Sequence, residues 1–281
     1  MESTKKYLIT GATSGIGKAT AVALAKLGGH LLLVSRKKEK GDRVVEEIRR
    51  LTGNDTLQLF VADLSSQAEI RKLADEIKSK HRSLDVLVNN AGGIFSDRVE
   101  TVDRIELTFA LNHLGYFLLT NLLLNLLKTA PAGRIVNVSS QAHVIGRIEF
   151  DDPGLKSRYN AAKAYAQSKL ANLMFTYELA RILGTSTVTV NALHPGAVSS
   201  NFGRNVSGVA GFYFRHLGFL MRSAAKGAET VVWLSSSPQV EGVTGKYFRD
   251  KGEIKSSPRS YDEQAAKKLW QMSAQMTGLE I

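Results

Sequence analysis

Tyr165 and Lys169, in the stretch YAQSK, stand four positions apart. On a helix that spacing puts a phenol and an ammonium on one face, one turn apart. A free phenol, with a pKa of about 10, exchanges its proton poorly near neutrality. A neighbouring positive charge favours the phenolate and lowers that value. Such a pair could act as general acid when a carbonyl is reduced, or as general base when an alcohol is oxidised. A solvated surface pair would show the same spacing, so the surrounding chain must decide between the two.

A second stretch suits a different ligand. TGATSGIG places Gly11, Gly15 and Gly17 between the apolar run YLIT (7–10) and a helix-like run of small and apolar residues (15–28). A sharp turn without side chains, opening onto free helix N–H groups and the positive end of a helix dipole, suits a pyrophosphate. Sites for NAD usually carry an acidic residue about 20 residues further on, at the ribose 2′-hydroxyl. Here the second apolar run, HLLLVSR, ends in Ser35, Arg36 and Lys37. Two cations suit a 2′-phosphate, which favours NADP(H) over NAD(H).

The elements that must position these groups alternate along the chain. Apolar runs at 7–10, 30–36, 57–63, 84–92, 134–140 and 187–196, with a short one at 245–250, read as strands. Helical patterns lie between them at 15–28, 38–51, 66–80, about 102–128, about 160–183, 223–236 and 262–277, with Ser65 or Ser66 capping the third. Strands apolar on consecutive residues need cover on both faces. The expectation is one α/β domain over 1–281, a doubly wound Rossmann-type fold with a mainly parallel sheet of about seven strands flanked by helices. The long connections 141–160 and 197–222 follow two late strands, where ligands of such sheets bind.

Composition removes several classes of function. The chain has 281 residues and no cysteine, which excludes disulfides and thiolate chemistry. Its six histidines are scattered without metal-ligand spacing, so no metal site is expected. The net charge of +11 is spread rather than gathered into a footprint, so no nucleic-acid role is expected. The longest greasy segment, LGYFLLTNLLLNLL (114–127), is too short for a bilayer and holds two asparagines, and no signal region precedes the first strand. A cytoplasmic protein without an integral membrane segment is the expectation.

Taken together, the motifs resemble the short-chain dehydrogenase/reductase family over nearly the whole chain, and RIVNVSSQAHVIGRI and SKLANLMFTYELARIL resemble its retinol-dehydrogenase-like branch. TGATSGIG is similar to the cofactor loop of the family, which implies contacts from Gly11, Thr13, Ser14, Gly15, Ile16 and Gly17. ADL implies Asp63, facing the adenine, and Leu64. NNAG implies Asn90, Ala91 and Gly92. HPGAVSS implies Pro195, Gly196 and Val198, with Ser200 where the family often has threonine. Arg36 and Lys37 complete the cofactor set. The catalytic group implied is Asn112, Ser140, Tyr165 and Lys169. Ser139 competes with Ser140, but Ser140 lies 25 residues before Tyr165, the spacing of that branch, and strand neighbours face opposite sides.

The resemblance implies an NADP(H)-dependent oxidoreductase, a carbonyl reductase or alcohol dehydrogenase. Tyr165 would be general acid/base, Lys169 would supply charge and hold ribose hydroxyls, Ser140 would bind the substrate oxygen, and Asn112 would hold a water in a proton relay. The aromatic stretch FYFRHLGFLM (212–221), within a lid at about 197–225, suggests a hydrophobic carbonyl or alcohol. The greasy helices around 114–127 and 164–182 suggest a homodimer or homotetramer. The alternative is a non-catalytic NADP(H)-binding sensor or scaffold.

Overall fold

The computed structural model describes residues 4–198 and 222–280. The expected lid stretch 212–221 and Ser200 lie outside the described residues. At the borders of the gap, Val198 and Arg222 form a parallel bridge.

The first half builds as its periodicity predicts. Strands β1 (Lys6–Thr10), β2 (His30–Ser35), β3 (Leu57–Val61) and β4 (Val86–Asn89) alternate with helices α1 (Gly15–Lys26), α2 (Lys38–Thr52) and α3 (Gln67–Lys80). Ser66 caps α3, its hydroxyl accepting from Glu69 N at 3.4 Å. The second half adds α4 (Leu107–Lys128), β5 (Arg134–Val138), α5 (Ala161–Leu183), β6 (Thr189–Leu193), α6 (Ala224–Ser236), β7 (Tyr247–Arg249), β8 (Gly252–Glu253) and α7 (Glu263–Thr277). The sheet order is β3-β2-β1-β4-β5-β6-β7-β8. The first seven strands are parallel, and the pair β7–β8 is antiparallel. The eighth strand is a two-residue return too short to leave an apolar run in the sequence.

Alternation along each strand separates two apolar layers. Leu8, Leu32, Leu87 and Ile135 point to one side, beneath α3, α4, α5 and α7. Ile9, Leu31, Leu33, Val88 and Val136 point to the other, beneath α1, α2 and α6. The chain reverses its direction of travel between β1 and β4, so the carboxyl ends of these strands open into the crevice where ligands of such sheets bind.

Two expectations about the helices change. α4 begins at Leu107 rather than near 102, because the buried Glu106 carboxylate accepts from Thr108 N (2.7 Å) and Phe109 N (2.8 Å) and caps it there. At 22 residues α4 is long and apolar enough to cross a membrane, which corrects the reading from 114–127 alone. Most of its surface is buried inside the protein, between the sheet and its neighbouring helices.

The apolar faces of α4 and α5 also have a partner within the chain. Trp270 of α7 packs edge-on to Phe117 at 4.9 Å between ring centroids and stacks on Phe175 at 5.8 Å. Trp270→Ala should lower unfolding free energy by about 3–5 kcal/mol, the range for a large aromatic removed from a core. Urea denaturation followed by circular dichroism would measure it.

Candidate active site

Residue types dictate how the cofactor loop is held. Gly11 has φ +65° and Gly15 has φ +52°, conformations that L side chains rarely adopt. A Cβ on Gly11 would lie 2.9 Å from Ala91 Cα, and one on Gly17 would overlap the Gly11 carbonyl and the Asn90 amide. Helix α1 opens at Ser14 without a side-chain cap and without an acid in its first turn. Its N–H groups and dipole therefore face outward into a cradle that fits phosphate. Thr13, Ser14 and Gly15 line this opening, while Ile16 turns inward against the apolar layer of α1 and α6.

Three of the expected cofactor residues are also engaged within the fold. Asn90 Nδ2 donates to the carbonyls of Thr10 (2.9 Å) and Gly11 (3.3 Å), so its amide ties β4 to the loop. Leu64 is buried in the core under α3 and α4, which leaves only its backbone for an adenine. Ala91 N–H is likewise engaged, donating to Thr10 Oγ1 at 3.1 Å. Asp63 is half-buried, and one of its oxygens accepts from Ser65 N (2.9 Å) and Ser65 Oγ (2.7 Å). Arg36 and Lys37 are exposed at the end of β2 and make no ion pair among the described residues. Ser35 Oγ folds back onto the Lys37 carbonyl at 2.8 Å and fixes their turn.

At the other end of the crevice the expected quartet comes together. Ser139 Oγ donates to the Lys169 carbonyl at 2.8 Å and is buried, so it serves the scaffold. Ser140, with extended backbone, faces Tyr165 and hydrogen-bonds its phenol. The Lys169 Nζ donates to the Val138 carbonyl at 2.9 Å and lies 5.7 Å from the Tyr165 ring centre. The bond from Lys169 to the end of β5 and the one-turn spacing on α5 together fix the pair.

The remaining letters of YAQSK also have positions. Gln167 bonds Glu149 N and the Pro153 carbonyl, both at 2.8 Å, and so holds the 141–160 connection. Ser168 Oγ accepts from Asn112 Nδ2 at 3.0 Å. Asn112 stands in a π-helical turn, Ala110–Leu114, within α4, and pairs reciprocally with Gly93 N (2.8 Å) and Gly93 O (2.9 Å). Its amide is committed to Gly93 and Ser168. A Cβ on Gly92 would lie 2.9 Å from Asn112 Oδ1, so this approach requires glycine. Pro195 and Gly196 follow β6, with Gly196 at φ +82° beneath the Arg222 side chain. Arg222 is held by both oxygens of Asp250, and Val198 packs towards Gly227 and Ile16.

Electrostatics depart from the expected lowering of the phenol. Burial pushes Tyr165 up to about 12, opposed only by the Ser140 hydrogen bond. Burial brings Lys169 down to about 7. Desolvation disfavours the charged form of each group. Tyr165 is thus a protonated donor near neutrality, and Lys169 is poised to gain or lose a proton there.

Three buried residues near this constellation escaped the sequence reading. The Tyr116 ring lies 5.6 Å from Lys169 Nζ, and its hydroxyl has no hydrogen-bond partner among the described residues. His143 touches Ser140. His113, beside Asn112, bonds Ser273 Oγ at 2.8 Å and is brought down to about 3 by burial. The folded value is depressed, so the unfolded chain binds the proton first. Stability is then full above about pH 6.5 and falls as pH drops toward 3. At about 1.4 kcal/mol per pH unit, His113 alone should remove about 2 kcal/mol at pH 5. His194, lowered to about 4 by burial, acts in the same direction. Denaturation at pH 7 and pH 5 tests this, with a smaller difference expected in His113→Asn.

Comparison with known proteins agrees with this geometry. The model of the family described as short chain dehydrogenase matches residues 5–208. The chain is similar to human retinol dehydrogenase 14, 40% identical over 300 residues, with 98% of this chain and 87% of that protein covered. It is also similar to the crystal structure of an uncharacterised protein from Mycobacterium paratuberculosis, with a TM-score of 0.80, 32% identity and coverage of 98% and 94%. A structure described as a short chain dehydrogenase from Shigella flexneri complexed with NADP matches with a TM-score of 0.70, 25% identity and coverage of 88% and 97%.

Proposed function

The chain belongs to the short chain dehydrogenase family, and from that premise we propose that it is an NADP(H)-dependent oxidoreductase acting on a hydrophobic carbonyl or alcohol. The observation that carries this reading is the convergence of Ser140, Tyr165 and Lys169 at the carboxyl end of β5, beside a glycine cradle built for phosphates. A nicotinamide dinucleotide, when bound, supplies or takes the hydride. Gly11, Gly15, Gly17 and the opening of α1 hold its phosphates, and Arg36 and Lys37 meet a 2′-phosphate.

The chain's own groups handle the proton and the developing charge. In reduction, Tyr165 gives its phenolic proton to the carbonyl oxygen. Ser140 donates a hydrogen bond to the same oxygen as negative charge grows on it. Lys169, titrating at about 7, returns the proton to Tyr165 and is held for this by the Val138 carbonyl. The Asn112 turn links Lys169 to solvent, with the clasp on Gly93 keeping Asn112 in place. In oxidation the same proton path runs backward.

The name retinol dehydrogenase 14 on a relative supports an extended apolar substrate here as well. Two exposed apolar residues just beyond Ser140, Val144 and Ile145, agree with that class. The cofactor preference is tested by Arg36→Ala with Lys37→Ala. Dissociation constants by nucleotide fluorescence should rise at least ~10-fold for NADPH and stay within ~2-fold for NADH, as expected for loss of charge-assisted phosphate contacts. Equal weakening of both nucleotides would remove the preference.

A further inference from the structure

We propose that His143 is a positioning residue for Ser140, acting through one locked ring tautomer; the inference rests on the hydride-transfer reading above. His143 is buried in the short 3₁₀ turn Gln141–Ile145 that follows Ser140. Its backbone N–H donates to the Ser140 carbonyl at 3.1 Å, and its Nδ1 lies 2.7 Å from the same oxygen. A carbonyl only accepts, so Nδ1 carries the proton.

The other ring nitrogen is specified independently. Ser257 N–H donates to His143 Nε2 at 3.1 Å, so Nε2 carries the lone pair. Both contacts select the same neutral tautomer, with the proton on Nδ1. A protonated ring would set two N–H groups against each other at Ser257. The remaining ionisable neighbours are Tyr247 on β7, whose ring meets His143 edge-on at 5.2 Å with its hydroxyl 3.5 Å from Nδ1, and His194 at the end of β6.

Two N–H groups from one residue thereby fix the Ser140 carbonyl, and the Ser257 bond ties that residue to the chain between β8 and α7. Ser140 must aim its hydroxyl at Tyr165 while its neighbour Ser139 is anchored to Lys169. Rotation of the peptide after Ser140 would swing the hydroxyl off the reacting oxygen. Displacements of about 1 Å at such a group can reduce turnover on the order of a hundred-fold.

Two substitutions separate the halves of the clamp. His143→Asn keeps a donor at the Nδ1 position, and His143→Gln keeps an acceptor at the Nε2 position. If His143 positions Ser140, His143→Gln should lose kcat by ~100-fold with KM and NADPH affinity within ~3-fold. His143→Asn should retain at least ~10-fold more kcat than His143→Gln. Nitrogen-15 NMR of the wild-type imidazole should show a protonated Nδ1, an unprotonated Nε2 and no titration near 6.5. Equal kcat in both variants, or the opposite tautomer in an active enzyme, would overturn the role of His143 alone. Absence of hydride transfer by the wild-type protein to any carbonyl would overturn the underlying reading, and the role of His143 with it.

Discussion

Tyr165→Phe is expected to reduce turnover by at least about a thousand-fold, while NADPH affinity stays within a few-fold of wild type. The substitution removes one oxygen. The ring keeps its place beside Lys169, and the bond from Lys169 Nζ to the Val138 carbonyl does not involve the phenol. The Ser140 hydroxyl loses its Tyr165 partner but keeps its bond from Ala142 N at 3.2 Å. The fold and the cradle for the dinucleotide should therefore persist. Steady-state kinetics and fluorescence titration on the same preparation separate the two effects. Retention of a tenth of the turnover would mean that the proton comes from another group. A wild-type protein that binds NADPH but reduces nothing would instead favour a sensor or scaffold.

Gly17→Ala should weaken dinucleotide binding at least about a hundred-fold and destabilise the fold by about 1–3 kcal/mol, as overpacking does. The added methyl would overlap the Gly11 carbonyl and the Asn90 amide. Neither can retreat easily. Gly11 is confined by Ala91, and Asn90 is bonded to Thr10 and Gly11. The loop would have to open, and the N–H groups of α1 would move off the phosphates. Gly28→Ala is a useful control for crowding, because that glycine, at φ +76°, has nothing within 4 Å of a Cβ. It should cost only strain and leave affinity unchanged. Thermal unfolding with nucleotide titration would report both quantities.

The parts of this protein that depend on near neighbours could be read from its sequence. Strands β1 and β2 carry consecutive apolar residues, Tyr7 to Ile9 and Leu31 to Val34, because both faces of the sheet are covered. The choice of Ser140 over Ser139 rested on the family-like spacing to Tyr165, with alternation on an extended chain turning the two serines apart; Ser139 bonds the Lys169 carbonyl. What escaped reading depends on partners far away in the chain. The bond from Ser257 to His143 spans 114 residues, and that from His113 to Ser273 spans 160. No local pattern predicts either. The packing of Trp270 from α7 against Phe117 and Phe175 escaped for the same reason. The π turn at Asn112 is a small irregularity within a regular apolar period.

The behaviour of Tyr165 was misjudged for a related reason. Spacing reveals that an amine stands near a phenol, but not that both are buried. Burial raises the phenol and lowers the amine.

The most direct test follows the hydride itself. The wild-type protein, mixed with NADPH carrying deuterium at the transferable position and a panel of hydrophobic aldehydes that includes retinal, should yield an alcohol with deuterium on the carbinol carbon. Mass spectrometry of the product would show it within a single turnover. Tight binding of the labelled dinucleotide with no deuterium in any product would contradict the account.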